Sequence, residues 1–188
     1  MEAFLVSVGC VAIAEFGDKS QMLVLALASR FRKPIPIVLG MFAATSLNHA
    51  LAAESGAWLA AMISPRTMRW TLGLSLAGIA FWSLMPKKQE RATTPRSRFG
   101  VFGTTLVACF LMEMGDKTQF ATIALAANYG SFWAVVVGST VGLMLVDVPV
   151  VMLGTVVAQK LPQKWLHGFA PALFLVLGIV VLVTAGVV

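Results

Sequence analysis

Charge is scarce in this chain. Asp, Glu, Lys and Arg make up 12% of its 188 residues, whereas 59% are hydrophobic, and mean hydropathy is +0.87. A water-soluble domain of this length has too little interior to hide that much apolar surface, so the solvent has to be lipid. Cysteine is scarce as well. Cys10 and Cys109 are the only two, which excludes a disulfide framework and leaves them as small apolar packing residues. The apolar runs lack the alternation of porin-type strands. No basic segment precedes the first run, which has Glu2 there and charges at its centre, so a cleaved signal peptide is not expected. In "HALAAE", His49 and Glu54 stand five positions apart with no second histidine. The H-E-x-x-H pattern of a zinc protease is therefore missing. No nucleophile–base arrangement appears either, and the chain is not expected to be an enzyme.

What remains is a set of continuous apolar stretches, each about 20 residues or longer and able to cross a roughly 30 Å hydrocarbon core. They lie near 3–28, 36–62, 67–85, 101–127, 131–158 and 167–187, which predicts an all-α integral membrane protein with six transmembrane helices. The net charge of +6 does not point to nucleic acid, because the basic residues sit in short loops between spans. Arg30, Arg32, Lys33, Lys87, Lys88, Arg91, Arg96, Arg98, Lys160 and Lys164 fall on one side; Arg66 and Arg69 fall on the other. The positive-inside rule then places the odd-numbered loops in the cytoplasm and both termini outside, in a bacterial-style inner membrane.

Two segments repeat. "AEFGDKSQM" (14–22) returns as "MEMGDKTQF" (112–120), at a constant offset of 98 residues. The same offset pairs Ala26, Leu27 and Ala28 with Ala124, Leu125 and Ala126, and Gly40 and Gly56 with Gly138 and Gly154. Chance likeness between oily helices would not preserve the polar positions so selectively. The predicted organisation is a three-helix repeat over 1–85, a cytoplasmic linker over 86–100 ("PKKQERATTPRSRFG") and a second repeat over 101–188. Three helices is an odd number, so the second copy enters the membrane upside down. Inverted repeats of this kind place a transport site at their interface near the midplane. Glu15 and Glu113 each lie about 18 Å along their spans at 1.5 Å per residue, so the two motifs meet at similar depth.

By this reading Glu15, Asp18, Glu54, Glu113, Asp116 and Asp147 are all intramembrane, opposed by Lys19 and Lys117, with His49 a further candidate. A charge at a helix centre costs roughly 2.5–3.5 kcal/mol on the insertion scale, so something must offset it. Glu15 with Lys19, and Glu113 with Lys117, have the i,i+4 spacing of helical ion pairs. Those pairs still leave four acids over, and surplus buried negative charge calls for a cation or for protons. Glu15, Asp18 and Gln21 recur at intervals of three along one helix face, as do Glu113, Asp116 and Gln119. Four carboxylates and two amide oxygens suit Mg²⁺, Ca²⁺ or Mn²⁺ rather than a soft ion. Gly17 and Gly115 either loosen the backbone to expose a carbonyl ligand or permit close helix packing. Ser20 and Thr118 can bond back to their own helix and need no metal. Pro149, two residues after Asp147, is expected to kink the fifth span. His49 is either a hydrogen-bonded packing residue or a proton relay.

The doubled E-x-G-D-K-S/T-Q motif, with "LNHALA" in the second span and "VPVVMLG" in the fifth, resembles one family over essentially the whole chain. It is that of the Ca²⁺/Mn²⁺:H⁺ exchangers, which includes Golgi manganese and calcium transporters and the bacterial MneA-type manganese exporters. The resemblance implies that Glu15, Asp18, Glu113 and Asp116 bind the metal and that manganese efflux is the role. It implies no resident cofactor: Mn²⁺ or Ca²⁺ is the transported substrate, and protons and the lipid bilayer are the partners. Two positions depart from the family pattern, which has Asn where Asp147 stands and a small residue where Glu54 stands. Each adds an acid that would alter selectivity or proton coupling, or face an interface. The expected mechanism is alternating access, with Lys19 and Lys117 as tethered cations that pair with the acids once the metal has left. A competing expectation is a six-helix exporter of basic amino acids or monovalent cations, which a buried acidic site would also suit.

Overall fold

The computed structural model describes residues 1–64, 67, 70–71, 73–75, 77–78, 81, 99–153 and 179. The expected spans near 67–85 (in large part) and 167–187, most of the linker, the basic residues Lys87 to Arg98, Lys160 and Lys164, and the side chain of Lys19 lie outside the described residues. The described residues form six helices of a dozen residues or more: α1 (Glu2–Glu15), α2 (Lys19–Phe31), α3 (Pro34–Met62), α4 (Gly100–Glu113), α5 (Lys117–Tyr129) and α6 (Phe132–Leu153). No strand occurs among the described residues.

The continuous helices expected over 3–28 and 101–127 are each broken in two, and the break falls inside the charged motif. Gly17 and Gly115 adopt positive φ, 72° and 76°, a region that only glycine enters without a steric penalty. The backbone turns tightly there. Asp18 N–H donates to Glu15 O at 3.0 Å and Asp116 N–H to Glu113 O at 3.1 Å. Asp18 and Asp116 then stand in extended conformation as the N-caps of α2 and α5. A Cβ on Gly115 would meet nothing within 4 Å, so its requirement for glycine is conformational. Gly115→Ala is expected to destabilise the fold by about 1–2 kcal/mol, read as a lower melting temperature of the purified protein; an unchanged melt would contradict the turn.

The half-helices end alike as well. Arg32 and Gly130, again 98 apart, close α2 and α5 in the left-handed conformation (φ 51° and 60°). Their N–H groups bond to Ala28 O and Ala126 O, satisfying carbonyls that would otherwise be orphaned. Pro34 opens α3 at its first turn, where its missing N–H is harmless. Pro149 lies inside α6, and the helix runs on past it to Leu153.

The packing crosses between the halves. α1 lies along α6 and α4 along α3; α5 contacts α3 and α1, α2 contacts α6 and α4, and α3 contacts α6. Under the 98-residue offset this pattern maps onto itself. Glycines allow the main approach on both sides. A Cβ on Gly40 would stand 2.7 Å from Phe102 O and 3.0 Å from Thr105 Cβ, and one on Gly138 would stand 2.6 Å from Phe4 O and 2.9 Å from Ser7 Cβ. Such small-residue seams bring membrane helices close enough for backbone contact.

Polarity runs inside out. Leu39, Phe42, Trp58, Leu111, Trp133 and Leu145 are exposed, while Glu15, Thr45, Asn48, Glu113, Lys117 and Asp147 are buried. Water would oppose both halves of that arrangement; lipid favours the first and forces polar groups to find one another inside. α3 (Pro34–Met62) and the segment Phe132–Met152 of α6 are long and apolar enough to cross a bilayer.

Candidate metal centre

The two helix breaks meet. Oxygens of Glu15, Asp18 and Asp116 all lie within 4.8 Å of one another. Glu15 is 1% exposed and Asp18 6%, and Asp116 is half-buried. The cluster therefore takes two carboxylates from the first motif and one from the second. Oxygens across a single hard cation stand about 4–5 Å apart, twice the metal–oxygen distance, so this spacing lets one ion bridge all three. Three carboxylates this close stay ionised together only with positive charge among them. Oxygen-only donors of this charge select a hard divalent cation.

Lys117 supplies a positive charge from the second half. Its Nζ is 3.1 Å from Asp18 Oδ2, with both side chains buried. The expected i,i+4 pairing of Lys117 with Glu113 is thus replaced by a bridge between motifs. The break at Gly115 separates Glu113 and Lys117 onto different helices, and i,i+4 geometry no longer applies.

Glu113 is held differently from its counterpart Glu15. It accepts hydrogen bonds from Thr45 Oγ1 at 2.9 Å and from Asn48 Nδ2 at 3.4 Å. Asn48 Nδ2 also donates to Phe110 O at 3.0 Å, which ties α3 to the end of α4. Glu15 instead accepts from the Ser20 hydroxyl, so Ser20 bonds across the break and not back along its own helix. Thr45 had no signal in the sequence, since it faces Glu113 across 68 residues.

Gln21 and Gln119 have a local task. Gly17 N–H donates to Gln21 Oε1 at 3.0 Å and Gly115 N–H to Gln119 Oε1 at 2.8 Å. Each amide oxygen closes the turn by satisfying the N–H of the positive-φ glycine, so here it acts as a turn acceptor where the spacing suggested a ligand. His49, 1% exposed, lies 3.3 Å from Thr140 Oγ1 through Nδ1, which joins α3 to α6. Its Nε2 has no partner among the described residues. Glu54 is exposed on the outer side of α3, apart from the cluster, whereas Asp147 is 1% exposed. The backbone of Lys19 begins α2.

Comparison with known proteins agrees in kind with this chemistry. The family model described as "Divalent cation/proton antiporter GDT1" matches residues 3–91 and 101–187. A protein of Vibrio cholerae serotype O1 named "Putative manganese exporter" is 42% identical over 180 residues, covering 95% of this chain and 90% of its own. "GDT1-like protein 3" of Oryza sativa subsp. indica is 26% identical over 201 residues, covering 93% and 71%. A GDT1-like protein of Synechocystis sp. is 26% identical over 200 residues and covers 96% of both chains. No solved structure matches. With its apolar exterior and its buried acids, the chain is a membrane transporter and not an enzyme, and it belongs to the divalent cation/proton antiporter GDT1 family.

Proposed function

We propose that this protein exports Mn²⁺ from the cytoplasm in exchange for protons, by alternating access across a bacterial inner membrane with both termini outside. The observation that carries the proposal is the Glu15–Asp18–Asp116 cluster, which neither motif forms alone. Family membership supports the divalent cation and the proton, and the printed name of the Vibrio relative supports manganese over calcium.

The chain is read as two inverted three-helix repeats, 1–85 and 101–188, joined by a cytoplasmic linker over 86–100. The self-consistent crossing of α1 onto α6 and α4 onto α3 supports this reading, as do the family matches on either side of the linker. Metal enters between the motifs from the cytoplasm and is bound by Glu15, Asp18 and Asp116, with Glu113 positioned beside them by Thr45 and Asn48. The arriving cation displaces Lys117 from Asp18. After release to the outside, protons and the tethered lysines, Lys117 and Lys19, neutralise the carboxylates for the return. Moving a bare divalent cation out against an inside-negative potential costs about 4.6 kcal/mol per 100 mV, at about 2.3 per charge; each returning proton offsets one charge.

The test is proton flux in proteoliposomes containing the purified protein and a pH dye. Mn²⁺ is expected to drive proton movement, with Ca²⁺ weaker and lysine and Na⁺ without effect, and Glu113→Gln is expected to reduce the Mn²⁺ response. A response to lysine or Na⁺ with none to Mn²⁺ or Ca²⁺ would overturn the proposal.

A further inference from the structure

The two halves of the centre match in their motifs but not in the helices that line them. Glu113 faces Thr45 and Asn48, two hydrogen-bond donors on α3. The positions 98 residues on, along α6, are Leu143 and Val146, which offer no donor at all. The polar group that α6 does carry is Asp147, whose equivalent on α3 is His49. The polar group that α6 offers on the Glu15 side is thus a second carboxylate, which when ionised can only accept.

Three observations place Asp147 in the centre. It is 1% exposed, in a helix packed along α1, which carries Glu15. Its Oδ1 has no hydrogen-bond partner among the described residues, although an ionised oxygen left unpaired in so dry a place is strongly unfavourable. In α6, Gly138 lies against Phe4 and Ser7 of α1 and Gly142 against Val8 and Ala12, so the two helices run side by side in one direction and Asp147, beyond Gly142, comes to the level of Glu15, beyond Ala12. Buried carboxylates brought to one level in so dry a place are reconciled by a cation that both can bind.

We infer that Asp147 is a fourth metal-ligating carboxylate, which completes from α6 the set begun by Glu15, Asp18 and Asp116. The inference rests on the proposed transport of a divalent cation through this centre. It makes the centre lopsided. The ion sits toward Glu15 and α6, and Glu113, engaged by Thr45 and Asn48, stands on the far side. It also separates two acids that the sequence presents alike: Glu54 is exposed on α3 and contributes nothing to metal binding.

Calorimetric titration of Mn²⁺ into detergent-purified protein at fixed pH tests this without requiring transport. Asp147→Asn is expected to weaken Mn²⁺ binding by about tenfold or more, Asp147→Glu to recover part of the loss, and Glu54→Gln to bind like the wild type. If Asp147→Asn does not purify as a monodisperse species, Asp147→Ser takes its place. Mn²⁺ affinity equal to or above wild type in the Asn or Ser variant would overturn the inference, because an aspartate that merely carries a proton is mimicked by asparagine. A wild-type protein that binds no Mn²⁺, Ca²⁺ or Mg²⁺ would overturn the underlying function reading as well, so the two failures are distinct.

Discussion

Asp116→Asn is expected to abolish Mn²⁺-driven proton movement in proteoliposomes, with a loss of at least about 100-fold, while the protein stays folded and monodisperse. Asp116 is the one member of the three-carboxylate cluster contributed by the second half. Replacing it leaves a cluster whose two remaining carboxylates both come from the first motif. The magnitude follows from ligand chemistry: changes to groups that merely orient a ligand already cost about 10–100-fold in affinity, so removing a ligand costs at least the upper end. Asparagine preserves the volume and can still occupy the N-cap position of α5, so a fold defect is not the expected cause. Asp116→Ala is a harsher control, since it removes the volume of the side chain along with its oxygens. Transport at wild-type rate in Asp116→Asn would show that the cluster is not the route.

Lys117→Met is expected to have the largest effect on stability, and of a kind that manganese reverses. The ammonium lies 3.1 Å from Asp18 in a buried setting, and truncating one partner of such a pair typically costs about 3–5 kcal/mol, because the other charge stays buried. The metal-free variant should therefore melt well below the wild type. Mn²⁺ supplies the missing positive charge, so the rise in melting temperature on adding Mn²⁺ should be greater in Lys117→Met than in the wild type. Equal Mn²⁺-induced shifts in the two proteins would mean that lysine and metal do not compete for Asp18.

Some of this was legible in the sequence for a simple reason. In an apolar chain a polar residue needs a cause, and the doubled motif stood out against its surroundings at one constant offset. Glu15, Asp18, Glu113 and Asp116 could be singled out on that ground alone. Their division into a three-carboxylate cluster and a separately held Glu113 could not. It depends on Thr45 and Asn48, which reach Glu113 across more than sixty residues of sequence. The break at Gly17 and Gly115 was equally hidden. A glycine in an oily span reads the same whether it permits a turn or lets another helix approach, and in this chain Gly115 does the first and Gly40 the second. Once the helix breaks, helical spacing across the motif loses its meaning. That is why Gln21 and Gln119 close turns where the spacing suggested ligands, and why Lys117 pairs with Asp18 and not with Glu113. Glu54 and Asp147 could not be told apart for a further reason. A helix that is apolar on every side offers no face by which to orient its one acid.

The crossing of α1 onto α6 has a consequence for how the chain is made. α1 is synthesised well before the helix it packs along, which begins only at Phe132. At about 5–20 residues per second, roughly 6 to 23 seconds pass between the two. During that interval Ser7 and Glu15, both buried in the finished protein, have no seam to close against. The seam between α1 and α6 therefore closes only after the second half of the chain has reached the membrane.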